Sequence, residues 1–134
     1  MNVGLLLITH EGIGSILLDT AKKMLGICPL STRVIEVPLD APVDIIKQQA
    51  LQHIDSLDQG KGVLILTDLY GSTPSNIAHQ LLTHSNSKLV TGINLPMLVR
   101  ILNYPQSTLN EMALKALTGG HDGILLSDNE NIEE

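Results

Sequence analysis

"MNVGLLLITHEGIG" (residues 1–14) runs apolar from Val3 to Thr9, then turns polar at His10 and Glu11 before Gly12 and Gly14. A short, unbroken aliphatic run is the pattern of a strand covered on both faces, as in a parallel sheet between helices. The two glycines then permit a turn. Beyond them Ile13, Ile16, Leu17, Ala21, Met24 and Leu25 fall on one helical face. The stretch reads strand, turn, helix, and its histidine sits where a reactive side chain can be held rigidly at a surface.

The alternation continues. Thr32 to Val37 is a second strand closed by Pro38, and Asp40 is the expected N-cap of a helix carrying Val43, Ile46, Ala50, Ile54 and Leu57. "GVLILT" (62–67) is a third, fully apolar strand that stops at Asp68. "LYGSTP" (69–74) leads into a helix, with Thr73 as the expected cap and Pro74 at the first helical position. Lys88 to Ile93 is a fourth strand, followed by "NLPML" (94–98) and a short helix to Leu102. Ser107 or Thr108 starts a further helix that Gly119-Gly120 is expected to end, and Gly123 to Leu126 is the expected last strand. The predicted fold class is α/β: a single doubly wound, mostly parallel sheet of about five strands with helices on both faces. One domain, 1–127, precedes an acidic tail, 128–134.

Composition narrows the function. The chain has 134 residues, 43% hydrophobic and 16% charged, which suits one folded domain rather than a disordered segment. With no Phe or Trp and only Tyr70 and Tyr104, it lacks an aromatic platform for bases. Fourteen acidic against eight basic residues also argue against nucleic acid. Four of the acids lie in the tail, so the body is only mildly acidic. Cys28 is alone, which excludes an internal disulfide and suits a reducing compartment. No signal-like start and no apolar run of about 20 residues points to export or membrane insertion, so a cytoplasmic protein is expected.

In doubly wound sheets ligands bind beyond the carboxyl ends of the strands, where strand order reverses. His10 ends the first strand and Asp68 follows the third. If those strands are neighbours, both side chains reach one edge. A carboxylate accepting Nδ1–H would fix the imidazole tautomer and free Nε2 as nucleophile, and a histidine of ordinary pKa, about 6.5, is largely neutral near pH 7. Gly71, Ser72, Thr73 and Pro74 bring a turn to a helix N-terminus, a natural seat for an anion such as a phosphoryl group. Each feature alone has a plainer reading: a structural histidine, an Asx-turn aspartate, a helix cap. The residues by themselves leave both readings open.

Other motifs fail. "HEGIG" has Gly14 where a zinc protease needs its second histidine, Gly60-Lys61 lacks the remainder of a P-loop, and Leu17 breaks G-x-G-x-x-G. No nucleophile elbow or C-x-x-C pair is present. His53, His79 and His84 read as surface or packing residues. His121, in "TGGHDG", reads as a turn residue and a secondary candidate.

"THEGIG" after an apolar strand, then "TDLYGSTPSNIA", then "GINLPML" together resemble the mannose-family enzyme IIA of the bacterial sugar phosphotransferase system. The resemblance spans essentially the whole chain. It implies a cytoplasmic phosphocarrier that takes a phosphoryl group from phospho-HPr and passes it to an enzyme IIB. By the same match His10 is the phosphorylated residue and Asp68 its hydrogen-bonded carboxylate. The family's "DLFGGSP" appears as Asp68 to Pro74, with Ser72 replacing a glycine and Thr73 replacing the phosphate-contacting serine, so Gly71, Ser72 and Thr73 are the implied phosphoryl-binding residues. Asn94, Leu95, Pro96 and Met97 are expected to shape the site's rim. A homodimer is implied, with the last strand antiparallel or exchanged between subunits. No metal or organic cofactor is implied. A rival carrier, the phosphocarrier subunit of the dihydroxyacetone kinase system, fits "NLPML" and "GSTP" less well. A regulator that binds partners according to its phosphorylation state, serving no transporter, is the rival of another class.

Overall fold

The computed structural model describes residues 1–129, so most of the acidic tail lies outside the described residues. Its elements are β1 (Gly4–His10), α1 (Gly14–Leu25), β2 (Thr32–Val37), α2 (Val43–Leu57), β3 (Val63–Thr67), α3 (Thr73–Leu81), β4 (Ser87–Thr91), α4 (Leu95–Leu102) and α5 (Leu109–Asp122). The four strands form one parallel sheet in the order β2-β1-β3-β4. The chain steps outward from β1 to β2 on one side and from β3 to β4 on the other. The order therefore reverses between β1 and β3.

Burial on both faces explains why β1 and β3 are aliphatic throughout. Leu5, Leu7, Leu64 and Leu66 pack on one face against Leu18 and Ala21 of α1, Leu98 and Ile101 of α4, and Met112 and Ala116 of α5. Leu6, Ile8, Val63 and Ile65 pack on the other against Ile46, Ala50 and Ile54 of α2 and Ile77, Ala78 and Leu81 of α3. At about 25 cal/mol per Å2 of apolar surface removed from water, these two layers supply the main folding force. A rigid sheet centre results, and its carboxyl edge is the platform for the site. Among the described residues no helix is long and apolar enough to cross a membrane.

Four expectations need correction. The sheet has four strands rather than five. Gly123 is the C-cap of α5, and Ile124, Leu125 and Leu126 leave the helix as an exposed, unpaired segment, 72%, 71% and 89% accessible. Gly119 and Gly120 do not end α5 but lie inside it, because there the helix presses on α4. A Cβ at Gly119 would stand 2.6 Å from Arg100 Cβ, and one at Gly120 3.1 Å from Met97 Cε. His121 consequently occupies the last helical turn rather than a loop. At the helix starts, Pro42 and Ser72 are the N-caps of α2 and α3 where Asp40 and Thr73 were expected, while α5 has a full capping box between Thr108 and Glu111.

Candidate functional site

Register brings the two candidate residues together. Ile8 of β1 pairs with Thr67 of β3, so His10 and Asp68 emerge side by side at the reversal of strand order. His10 Nδ1 lies 2.8 Å from Asp68 Oδ2, and the His10 main-chain N–H donates to the same oxygen at 3.1 Å. Two donors of one residue thus converge on one carboxylate oxygen, which locks the ring's position as well as its tautomer. With Asp68 ionised, Nδ1 carries the proton and the Nε2 lone pair is left free. The His10 side chain is 34% accessible and that of Asp68 10%, so the ring is reachable while its anchor is sheltered.

Burial by itself would raise the Asp68 pKa, but the hydrogen bonds from the His10 ring and main chain outweigh it and hold the carboxyl below its usual range. Among the described residues the second oxygen, Oδ1, is buried with no hydrogen-bond partner, as is Thr67 Oγ1. Asp68 therefore spends its acceptor capacity on His10.

The turn after His10 is pinned from two strands. Gly12 adopts φ +80°, which a side chain would resist. Thr9 Oγ1 donates to the His10 carbonyl at 2.9 Å and accepts the Gly14 N–H at 2.9 Å. From β2, Glu36 accepts the Gly12 N–H at 3.2 Å and the Ser15 N–H at 3.0 Å. The Ser15 and then the Gly12 hydrogen bonds keep the Glu36 carboxyl below its usual pKa, against a smaller opposing effect of burial. Sequence reading missed Glu36. An acid between Ile35 and Val37 looks like an ordinary solvent-facing strand residue until the β1–β2 register sets it beside Thr9.

Gly71, Ser72 and Thr73 form the entry to α3 on the adjoining loop. Gly71 takes φ +84°, and Ser72 is an extended N-cap whose side chain caps no helical N–H. Its hydroxyl donates instead to the Leu69 carbonyl at 2.6 Å, leaving Thr73 as the uncommitted hydroxyl at this terminus. Tyr70 meets the His79 ring edge-on, with centroids 5.7 Å apart, and His79 Nδ1 lies 2.8 Å from the Ser75 carbonyl.

The 94–97 segment begins α4, next to β4 at the same sheet edge. Asn94 is its N-cap, accepting the Met97 N–H at 2.9 Å and donating to the Gly120 carbonyl at 3.2 Å. Met97 is buried in the core, whereas Pro96 is exposed. Among the described residues no group of three His, Cys, Asp or Glu side chains converges to hold a metal. A cavity of about 600 Å3 lies along β4 and α5, lined by Leu89, Val90, Leu114 and Leu117, away from His10. His10 instead stands on an open surface, near exposed Leu39, Leu69 and Tyr70 on the loops of the same edge.

The family model EIIA-man, described as "PTS system fructose IIA component", matches residues 4–117. The mannose-specific EIIAB component of the phosphotransferase system of Escherichia coli (strain K12) is 28% identical over 127 residues, covering 92% of this chain and 39% of that protein. The chain thus spans about two-fifths of the length of the curated relatives it first matches. The mannose/sorbose-specific IIA subunit from Enterococcus faecalis superposes with a TM-score of 0.85 over 99% of this chain and 100% of its own, at 19% identity. The PTS IIA protein associated with the fucose utilization operon of Streptococcus pneumoniae has a TM-score of 0.80 over 94% and 93%, at 25% identity.

Proposed function

The chain belongs to the EIIA-man family of phosphotransferase-system IIA components, and from that premise we propose that His10 is its phosphoryl carrier, charged by phospho-HPr and discharged to an enzyme IIB in the cytoplasm. The observation that carries the proposal is the 2.8 Å contact of His10 Nδ1 with Asp68 Oδ2, which leaves Nε2 free on an accessible ring at the switch point of the sheet.

The step follows from that geometry. The Nε2 lone pair of His10 attacks the phosphorus of the donor phosphohistidine in line with the donor's N–P bond. The new N–P bond forms as the old one breaks, and the bonding pair returns to the donor ring. His10 keeps its Nδ1 proton throughout, so its ring becomes cationic as it accepts the phosphoryl group. Asp68 stabilises that charge in addition to holding the ring. The N-terminus of α3, with the Thr73 hydroxyl, receives the phosphoryl oxygens. Nothing is consumed, so transfer onward to an enzyme IIB is the same step in reverse.

An open, partly apolar surface around His10 suits protein donors and acceptors, which must bring their own reactive residue to it, better than a small sugar that needs a cleft. The exposed Ile124–Leu126 run and the edge strand β4, with its flanking groove, suit a homodimer in which the terminal segment docks on the second copy. Light scattering that finds only monomer at high concentration would exclude the dimer.

The decisive experiment is intact-protein mass after incubation with phosphoenolpyruvate, enzyme I and HPr. One added, acid-labile phosphoryl group is expected on the wild type and none on His10→Ala. No added mass, with HPr itself phosphorylated, refutes the carrier reading.

A further inference from the structure

Of the helix N-termini along the sheet edge that carries His10, that of α1 follows the turn after His10 and that of α3 follows the loop after Asp68, and these two are occupied differently. That of α3 has no side-chain cap. The N-cap residue of α1, Ile13, provides none either, yet the N–H groups of its entry are taken from outside the helix. Glu36 accepts those of Gly12 and Ser15 through separate oxygens, and Thr9 accepts that of Gly14. Glu36 makes no salt bridge to Lys or Arg among the described residues; its partners are the main-chain N–H groups of Ser15 and Gly12, with a smaller contribution from the Ser15 side chain. The carboxylate is therefore set into a helix terminus, at the end of the turn that begins with His10.

That placement matters for phosphoryl chemistry. A helix N-terminus carries a partial positive charge of about half a unit and attracts anions. Were both termini open, a phosphoryl group on His10 would have two competing seats, and the turn between His10 and Ser15 would lose the two hydrogen bonds that tie it to β2. We propose that Glu36 is a positioning residue for transfer at His10: its carboxylate is the built-in anion of the α1 N-terminus, fixing the turn and reserving the α3 N-terminus for the phosphoryl group. This rests on the carrier reading above and adds to it a residue that neither binds the phosphoryl group nor touches His10.

The test uses two donors, phospho-HPr and the small molecule phosphoramidate. Phosphoramidate needs no docking: Nε2 attacks its phosphorus, the N–P bond breaks and ammonia leaves. Initial rates are read by intact mass for wild type, Glu36→Gln and Glu36→Ala, each checked for native circular dichroism. Glu36→Gln keeps the volume and removes the anion, and it is expected to slow both reactions by about two- to fivefold, the strength with which a helix N-terminus without its own anion would hold the phosphoryl group in the wrong seat. Glu36→Ala is expected to be at least as slow, and millimolar formate, a carboxylate small enough for the space left, should restore most of its rate. Formate should change neither wild type nor Glu36→Gln. Rescue of the transfer rate by formate without a matching rise in the Glu36→Ala melting midpoint is an outcome that a merely structural role would not produce.

Wild-type rates for Glu36→Gln with both donors overturn the proposal. So does a slow Glu36→Ala that formate fails to rescue. A loss confined to phospho-HPr would put Glu36 in donor docking and overturn it as well. In each of these cases the wild type still takes a phosphoryl group at His10, so the carrier reading stands. A wild type unreactive toward both donors refutes the two together. Should Glu36→Ala fail to fold, Glu36→Gln alone decides.

Discussion

Asp68→Asn separates the charge of the His10 anchor from its shape. Asp68 Oδ2 accepts two hydrogen bonds, from the ring at 2.8 Å and from the main-chain N–H at 3.1 Å. The main-chain donor requires an acceptor there, so asparagine will turn its carbonyl oxygen to that position and its NH2 to the place of Oδ1. That place receives no donor, so the amide meets none of its own kind. The tautomer is thereby kept and only the charge is lost. A charge-assisted bond of about 1.5–3 kcal/mol becomes a neutral one of about 0.5–1.5, a loss of roughly 1–1.5 kcal/mol per bond. The main-chain bond is unchanged by transfer and contributes only to stability. The ring bond strengthens as the ring becomes cationic, so its loss enters the barrier and slows transfer by about 5- to 15-fold.

For folding, the two losses total roughly 2–3 kcal/mol, but the amide avoids the cost of burying a charge, which opposes ionisation of Asp68. A net loss of about 1 kcal/mol, over an unfolding entropy of about 0.28 kcal/mol/K for a chain of 134 residues, lowers the midpoint by about 4 °C. Asp68→Ala, which leaves both donors unpaired and the tautomer unset, should be slower by a further factor of about ten. Rapid-quench transfer from phospho-HPr, read as phosphoprotein against time, measures both variants. Wild-type transfer by Asp68→Asn would refute the reasoning, because the charge on Asp68 would then be doing nothing for the cationic ring.

Further outcomes are expected elsewhere. Gly14→Ala would place a Cβ 2.8 Å from Thr9 Oγ1 and 3.0 Å from Val34 Cγ1. It should lower the melting midpoint by about 3–10 °C, as overpacking costing 1–3 kcal/mol does, and slow transfer by disturbing the turn. Thr108→Ala breaks the capping box of α5 at the opposite edge of the sheet; it should cost about 1 kcal/mol in chemical denaturation yet leave the transfer rate unchanged. Glu36, Asp68 and Glu111 all have folded-state pKa values below their usual ones, so the unfolded chain binds more protons as acid is added. Their stabilisation is fully present above the ordinary carboxylate range and should drain away as pH falls below about 4.5 and through the lowered values. Urea titrations at stepped pH check this, and a stability that rises toward pH 3 would contradict it.

Local pattern was enough for β1 and β3, since they are buried on both faces and only an unbroken aliphatic run satisfies that, but it also suggested a strand at Gly123 to Leu126 that the fold leaves exposed. The same pattern put His10 and Asp68 at strand ends. It could not make β1 and β3 neighbours, because strand order is settled by how helices pack on the two faces, and only that adjacency turns two candidates into a hydrogen-bonded pair. The glycines mark a second limit. In sequence Gly119-Gly120 looks like a helix stop; in the fold the pair is where α5 closes on α4, and a missing side chain has the same spelling in both roles. Glu36 marks a third. Its partners, Gly12 and Ser15, lie more than twenty residues away, and nothing in the run from Thr32 to Val37 announces them. What the chain alone determined was the order along the chain of the strands β1–β4 and the helices α1–α5, because these follow from burial and turn chemistry within a few residues. The fifth strand expected at Gly123 to Leu126 and several of the expected helix ends were not among what it determined. What the tertiary structure decided was which of those ends meet, because hydrogen bonds and register join residues that no local periodicity connects.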